Sequence, residues 1–200
     1  MQTKQLLKLL LAAIFAATTL PLTAQVAPAA KEASTPLEVG AGMSSYDVDW
    51  GHGRMLGGTF RADYYPSFLP AIFHGLGIEA EARDISMGHS STQPSNFRED
   101  TAGGGVIYKW RRYAGFQPYG KALMSLGSLD FKLGHNSQYS HDTRTVTSFG
   151  AGFQIPVYRK LSVRADYEYQ FWPHLFQHLQ TLTPQGFTLG AMYSFGGPGR

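Results

Sequence analysis

From residue 161 to 171 the chain reads LSVRADYEYQF, and every second residue belongs to the same chemical class. Leu161, Val163, Ala165, Tyr167, Tyr169 and Phe171 are apolar or aromatic; Ser162, Arg164, Asp166, Glu168 and Gln170 between them are polar. Side chains of a strand alternate between its two faces, so this period predicts a strand with one greasy and one charged face. Runs of the same kind place predicted strands at 37–45, 55–65, 76–87, 101–111, 118–131, 145–156, 161–171 and 185–195. Strands of globular domains most often have about 5–6 residues, whereas a strand crossing a bilayer at a tilt near 45° needs about 9–11. These runs are of the second kind.

The connections alternate as well. Segments 46–54, 88–100, 132–144 and 172–184 are longer and polar, while those near 112–117 and 157–160 are short. Long outer loops, short periplasmic turns and an even number of strands go together in transmembrane barrels. The segment 66–75, PSFLPAIFHG, departs from that pattern: it is long and apolar for a periplasmic turn, as expected if it lies against the membrane interface or plugs the lower mouth.

Lipid offers no partner to an unpaired backbone group, so a spanning sheet has to close on itself. The fold class expected is all-β: an eight-stranded antiparallel up-and-down transmembrane β-barrel with a filled polar lumen. The alternation then assigns every charge in the strands. Glu38, Asp63, Glu79, Glu81, Asp166 and Glu168 face inward, as do Arg61, Arg83, Lys109, Lys121 and Arg164, leaving a sum of −1. A narrow lumen holds little water, so these charges require an interlocked network of pairs. The outward set lacks charge apart from Asp84, near the outer end of the third strand. Aromatic residues near the strand ends are read as membrane-interface belts: Trp50 and Trp172 by the outer loops, and Tyr65, Trp110, Tyr113, Tyr119 and Phe195 by the inner turns. A soluble β-sandwich or lipocalin-like barrel, with its apolar face inward, is the competing reading; it gives such belts no reason to exist.

The N-terminus changes the charge balance. Lys4 and Lys8 precede an apolar stretch from Leu9 to Ala17 and small residues before Gln25, the layout of a secretory signal peptide over 1–24. QVAPAAKEASTP over 25–36 reads as a flexible linker, 37–195 as the barrel and 196–200 as a short tail. Of 17 basic residues the signal takes two, and with 14 acidic residues all beyond it the remainder carries +1, so nothing points to nucleic acid. There are no cysteines, which excludes disulfides and thiolate zinc sites.

Candidate chemistry is sparse. Glycines at inward positions, Gly40 and Gly42, Gly103 and Gly105, Gly150 and Gly152, make room for long charged side chains and do not form a phosphate loop. A hydrolase would need a Ser–His pair oriented by a third group at a membrane-facing rim. The sequence offers GHSS at 88–91, HNS at 135–137 and SHD at 140–142, all in predicted loops. His52, His89, His135, His141, His174 and His178 fall in the predicted outer loops without a metal-ligand spacing. No catalytic residue, cofactor or metal site is assigned, and a lumen filled by charges argues for a plug rather than a channel.

RADYEYQFW at 164–172 and the closing FTLGAMYSF at 187–195 resemble the OmpA/OmpX-type eight-stranded outer-membrane β-barrel family. The closing stretch resembles the terminal strand recognised by the barrel-assembly machinery, although GGPGR follows Phe195 where many relatives end. The resemblance implies an outer-membrane location, a monomer, and outer-membrane lipids and lipopolysaccharide as surroundings. It also implies the assembly machinery as a transient partner and leaves room for an extracellular ligand at the loops. The function expected is structural or surface-interacting. A lipid A acyltransferase or deacylase and a small-solute pore are the alternatives.

Overall fold

The computed structural model describes residues 37–47, 49, 53–70, 73, 75–87, 97–110, 115–132, 139–175 and 180–195. The expected signal peptide, linker and tail lie outside them. Nine strands are present among the described residues: β1 (Leu37–Asp47), β2 (Arg54–Tyr64), β3 (Leu76–Met87), β4 (Phe97–Lys109), β5 (Gln117–Lys132), β6 (Tyr139–Tyr158), β7 (Leu161–Leu175), β8 (Gln180–Leu182) and β9 (Gln185–Ser194). All eight long strands predicted from the alternation are there. Each pairs antiparallel with its neighbour in sequence, β7 pairs with β9, and β9 returns to β1. The result is a closed eight-stranded barrel, and closure leaves no open edge along its wall.

The strands run past the limits the alternation sets. β4 begins at Phe97 rather than 101, β6 at Tyr139 rather than 145, and β7 continues to Leu175 rather than 171. The short β8, which the sequence pattern did not predict, pairs with the end of β7 through Trp172 and Leu182. Hydrophobic alternation stops where a strand leaves lipid, but backbone pairing does not. That is why the sequence shortens these strands mainly at that end, by four to six residues, against two at the other end of β6.

At the other end the described chain starts and finishes, and the Phe195 N–H donates to the Leu37 carbonyl at 2.9 Å. We call this the lower end. The β6–β7 connection there is the two-residue turn Arg159–Lys160, with Arg159 in the left-handed region at φ 30°, a conformation that two-residue hairpins ask for. Register places inward residues opposite inward residues: Arg61 faces Glu81, and Asp63 faces Glu79, across β2 and β3.

Candidate functional site

The interior is layered along the barrel axis. Its middle is ionic. Lys121 on β5 reaches Glu81 and Glu168 at 2.7 Å each, Glu79 at 3.3 Å and Asp166 at 3.7 Å. Arg164 on β7 binds Asp63 at 2.8 Å and Glu79 at 2.6 Å, with its guanidinium 4.1 Å from the Tyr119 ring centre. Arg61 pairs with Asp166 and, at 3.4 Å, with Glu81. Arg83 pairs with Glu81 and, at 3.0 Å, with Glu168. Two of these bonds, Arg83–Glu168 and Arg164–Glu79, cross the barrel from β3 to β7, because β3 carries acid, acid, base over Glu79–Glu81–Arg83 while β7 carries base, acid, acid over Arg164–Asp166–Glu168. Charge-assisted hydrogen bonds of this kind are roughly twice as strong as neutral ones, which is what allows so many charges in a dry interior.

Towards the lower mouth, Lys109 joins Glu38 at 2.7 Å and Gln154 at 2.8 Å, and sits over the Tyr65 ring. All eleven charged residues assigned inward by the alternation point into the lumen; ten are buried and Glu38 mostly so. Others were missed. Glu99, at the start of β4, is fully buried and lies beside Arg83, Glu168 and Gln170. At the upper mouth Asp142 and Arg144, opposite Leu129 and Gly127 on β5, pair with each other at 3.2 Å. Among the described residues eight acids therefore meet six bases on the inward face, a formal sum of −2 rather than −1. The shortened β4 and β6 hid them, since 97–100 and 139–144 fell in predicted loops.

Above the ions the lumen turns apolar. Tyr46, Met55, Ile85, Phe97, Leu129, Val146, Trp172 and Leu182 form one buried cluster that fills the upper end. Trp172 donates its indole N–H to Gln170 at 2.8 Å, tying the plug to the polar layer. Its ring packs so closely over Gly127 that a Cβ there would collide with it. A smaller cluster of Tyr65, Ile107 and Tyr119 lines the lower part.

Three of the aromatic residues expected at the lipid interface are in these clusters instead. Tyr65, Tyr119 and Trp172 are buried inside the barrel. Parity explains it: Tyr65 stands two residues from Asp63, Tyr119 two from Lys121, and Trp172 four from Glu168, so each shares its partner's inward face. The Tyr119 hydroxyl donates to Asp166 at 2.7 Å and that of Tyr65 to Asp63 at 3.2 Å. Trp110 and Phe195 are exposed on the outside, as expected. Trp50 and Tyr113 lie outside the described residues.

The outer surface is apolar. Met43, Phe60, Ile78, Val106, Met124, Phe149, Phe187 and Leu189 are exposed around the barrel. Above this belt, on β3 to β6, a polar band begins, where Arg98 pairs with Asp84 at 2.8 Å and Asp100 at 3.2 Å. From Leu76 to Asp84 a strand advances roughly 27 Å, or about 20 Å along a barrel axis tilted by about 40°, near the height of the apolar band of about 25 Å on membrane barrels.

Over residues 12–195 the sequence matches the outer membrane protein beta-barrel domain. The chain belongs to that family. A comparison with curated proteins finds no significant match. Among solved structures the family barrel is similar to Neisserial surface protein A (NspA), with a TM-score of 0.61 at 15% identity, covering 79% of this chain and 95% of that one. It is also similar to Ail, the attachment invasion locus protein of Yersinia pestis, with a TM-score of 0.55 at 18% identity over 78% and 96%. A major outer membrane protein from Thermus thermophilus gives 0.51 at 11% identity over 78% and 98%. At these identities the likeness concerns the fold. Family membership implies an outer-membrane location for this barrel.

The hydrolase candidates of the sequence fare unevenly. GHSS at 88–91 and HNS at 135–137 lie outside the described residues, as do His52, His89 and His178. In SHD at 140–142, neighbours on β6 face opposite ways, and Asp142 pairs with Arg144 at 3.2 Å rather than with His141. His141 instead meets Asp130 and Ser128 of β5 and Thr143 of its own strand. Its Nδ1 lies 2.5 Å from Asp130 and 3.4 Å from Ser128, and its Nε2 lies 3.2 Å from Thr143. This group stands on the outward face of the family barrel, in the polar band above the lipid belt. Among the described residues no three metal-ligating side chains come together.

Proposed function

We propose that the protein is a non-enzymatic outer-membrane barrel with a closed lumen, acting in envelope architecture and surface contact through its upper loops. The observation that carries this reading is the filling of the lumen by two stacked layers, an ionic lattice and an apolar plug. Solute passage would require breaking cross-barrel ion pairs and moving Trp172 off Gly127 at the same time. The name of the Yersinia pestis barrel, attachment invasion locus protein, fits a role in contact at the cell surface, which we extend to this chain as part of the proposal. Planar-bilayer recordings test the closed lumen. The folded protein should give no sustained conductance steps, and reproducible unitary currents would refute it.

A second reading has one observation in its favour. Asp130, His141 and Thr143 stand in the order acid, imidazole, hydroxyl, on the outward face at the level where an outer-leaflet ester would lie. It is the weaker one, because the hydroxyl belongs to a threonine and Ser128 shares the nitrogen that faces Asp130. Lipid A mass spectra from cells expressing the wild type and His141→Ala decide it: an identical acyl pattern removes the hydrolase.

A further inference from the structure

The β2–β3 connection differs in composition from the other connections at the lower end, which carry Arg111 and Arg112 or Arg159 and Lys160. Between Asp63 and Glu79 the sequence has no Asp, Glu, Lys or Arg. Phe68 within it is 80% exposed, more than any other large apolar side chain among the described residues, and Phe73 is exposed as well. Its described residues are nonetheless tied down. The Phe73 N–H donates to the Pro70 carbonyl at 2.8 Å, the Gly75 carbonyl accepts from the Lys109 N–H at 2.8 Å, and Pro66 and Pro70 restrict the backbone. An uncharged turn whose described residues present two phenylalanines outward is suited to an apolar environment rather than to water.

The surroundings identify that environment. Immediately above the turn, Tyr64 and Ile78 are exposed on the lipid-facing side of β2 and β3. Around the same rim stand exposed Trp110, Tyr158 and Phe195, with Phe116 stacked on Phe153 and Tyr193 edge-on to Phe195. Phe68 thus continues a belt of aromatic side chains past the ends of the strands. Four strands further round the barrel, the β6–β7 turn offers the opposite chemistry, exposed Arg159 and Lys160, with Arg159 over the Tyr158 ring. An apolar wedge on one side of a rim and a basic turn on the other complement a bilayer surface that has both acyl chains and anionic headgroups.

We propose that the lower rim is a two-point membrane clamp. Phe68 and Phe73 insert at the headgroup–acyl boundary of the leaflet beside them, and Arg159 with Lys160 engages its anionic phospholipid headgroups. The inference rests on the barrel spanning a bilayer, as the proposed function requires. It sets the tilt of the barrel, since one side is drawn into the leaflet by apolar insertion and the other is held at its charged surface.

The chain has no cysteine, so single-cysteine labelling needs no prior substitution. Nitroxides at Phe60→Cys, Phe68→Cys and Lys160→Cys would be read in vesicles of phosphatidylcholine with and without phosphatidylglycerol. Collisions with lipid-soluble oxygen are compared with those of a water-soluble nickel chelate. The label at 60 checks insertion itself; chelate-dominated collisions there would refute the spanning barrel and, with it, the clamp. With insertion established, the label at 68 should favour oxygen several-fold. The label at 160 should favour the chelate, less strongly when phosphatidylglycerol is present. A label at 68 as open to the chelate as that at 160 overturns the proposal, and so does one shielded from both reagents, which would mean that protein covers the turn. For the basic arm, the double variant Arg159→Gln/Lys160→Gln should lose most of any acceleration of vesicle insertion by phosphatidylglycerol; an unchanged acceleration overturns that half.

Discussion

The middle and the top of the lumen are equally buried and are filled by opposite chemistries. In the middle, Lys121 is held among four carboxylates and Arg164 among three. At the top, Ile85, Leu129 and Leu182 pack with Trp172, and charge is reduced to Glu99 between Ile85 and Leu129 and to the Asp142–Arg144 pair at the mouth. An apolar plug is a sum of many small dispersion contacts, so it weakens in proportion to what is removed. An ionic lattice is conditional: each member is tolerated only while its partners are present. The two regions should therefore respond to substitution on very different scales.

The largest effect is expected at Lys121. Lys121→Met fits the same volume but strands Glu79, Glu81, Asp166 and Glu168 with three arginines instead of four cations. Breaking a buried pair from one side costs about 3–5 kcal/mol, to be read as a lower urea midpoint for unfolding from lipid vesicles. Adding Glu81→Gln removes one uncompensated charge and should recover part of the loss. A single variant within about 1 kcal/mol of wild type would mean that the lattice is not a unit.

Next comes the outer wall, where the rule is reversed. Phe60 and Arg61 are adjacent, one on lipid and the other in the lumen. Phe60→Arg places a charge on the hydrocarbon face and should cost about 2–4 kcal/mol, measured by the same unfolding titration. That guanidinium is chemically the same group that Arg61 carries harmlessly one position later, because Arg61 finds Asp166 and Glu81.

These contrasts also explain what the sequence could and could not tell. The period of two placed all eight long strands and pointed eleven charges, from Glu38 to Glu168, inward, because a charge on lipid is forbidden and the alternation leaves it one other side. It failed wherever that prohibition no longer spoke. Glu99 sits above the apolar alternation, where a strand and a polar loop have the same composition. Tyr46, Met55, Ile85 and Leu129 face inward although they are apolar, since the lumen changes character along its length and the outward rule says nothing about apolar residues. Tyr65, Tyr119 and Trp172 were read by residue type when their parity with Asp63, Lys121 and Glu168 was the better guide. The His141 group was invisible for another reason: it is assembled across β5 and β6, so no stretch of sequence contains it.

The plug should yield by degrees. Ile85→Val removes one methylene from a fully buried side chain and is expected to cost about 0.5–1.5 kcal/mol. The lumen should stay silent in planar bilayers, because the ionic layer below still fills it. A loss as large as that at Lys121 would show that the apolar cluster, too, behaves as an interlocked unit, and the distinction between the two layers would fall.

The smallest effect belongs to Arg98, which is also bound to two carboxylates and so makes the sharpest control for Lys121. Arg98 contacts Asp84 through two nitrogens, at 3.0 and 2.8 Å, and Asp100 at 3.2 Å, geometry as good as any in the lumen. What differs is exposure: the Arg98 side chain is 53% accessible and that of Asp84 60%, against 0% for Lys121. Exposed pairs gain little because each partner is already solvated, typically about 0–1 kcal/mol. Arg98→Gln should therefore shift the unfolding midpoint by less than about 1 kcal/mol, and raising the salt should shrink even that difference as screening sets in. The Lys121→Met deficit should hold over the same salt range, because mobile ions do not enter a lumen closed above by Trp172. Equal salt sensitivity at the two positions would mean that water and ions reach the lattice, and the ionic middle would then be a solvated channel wall rather than a buried network.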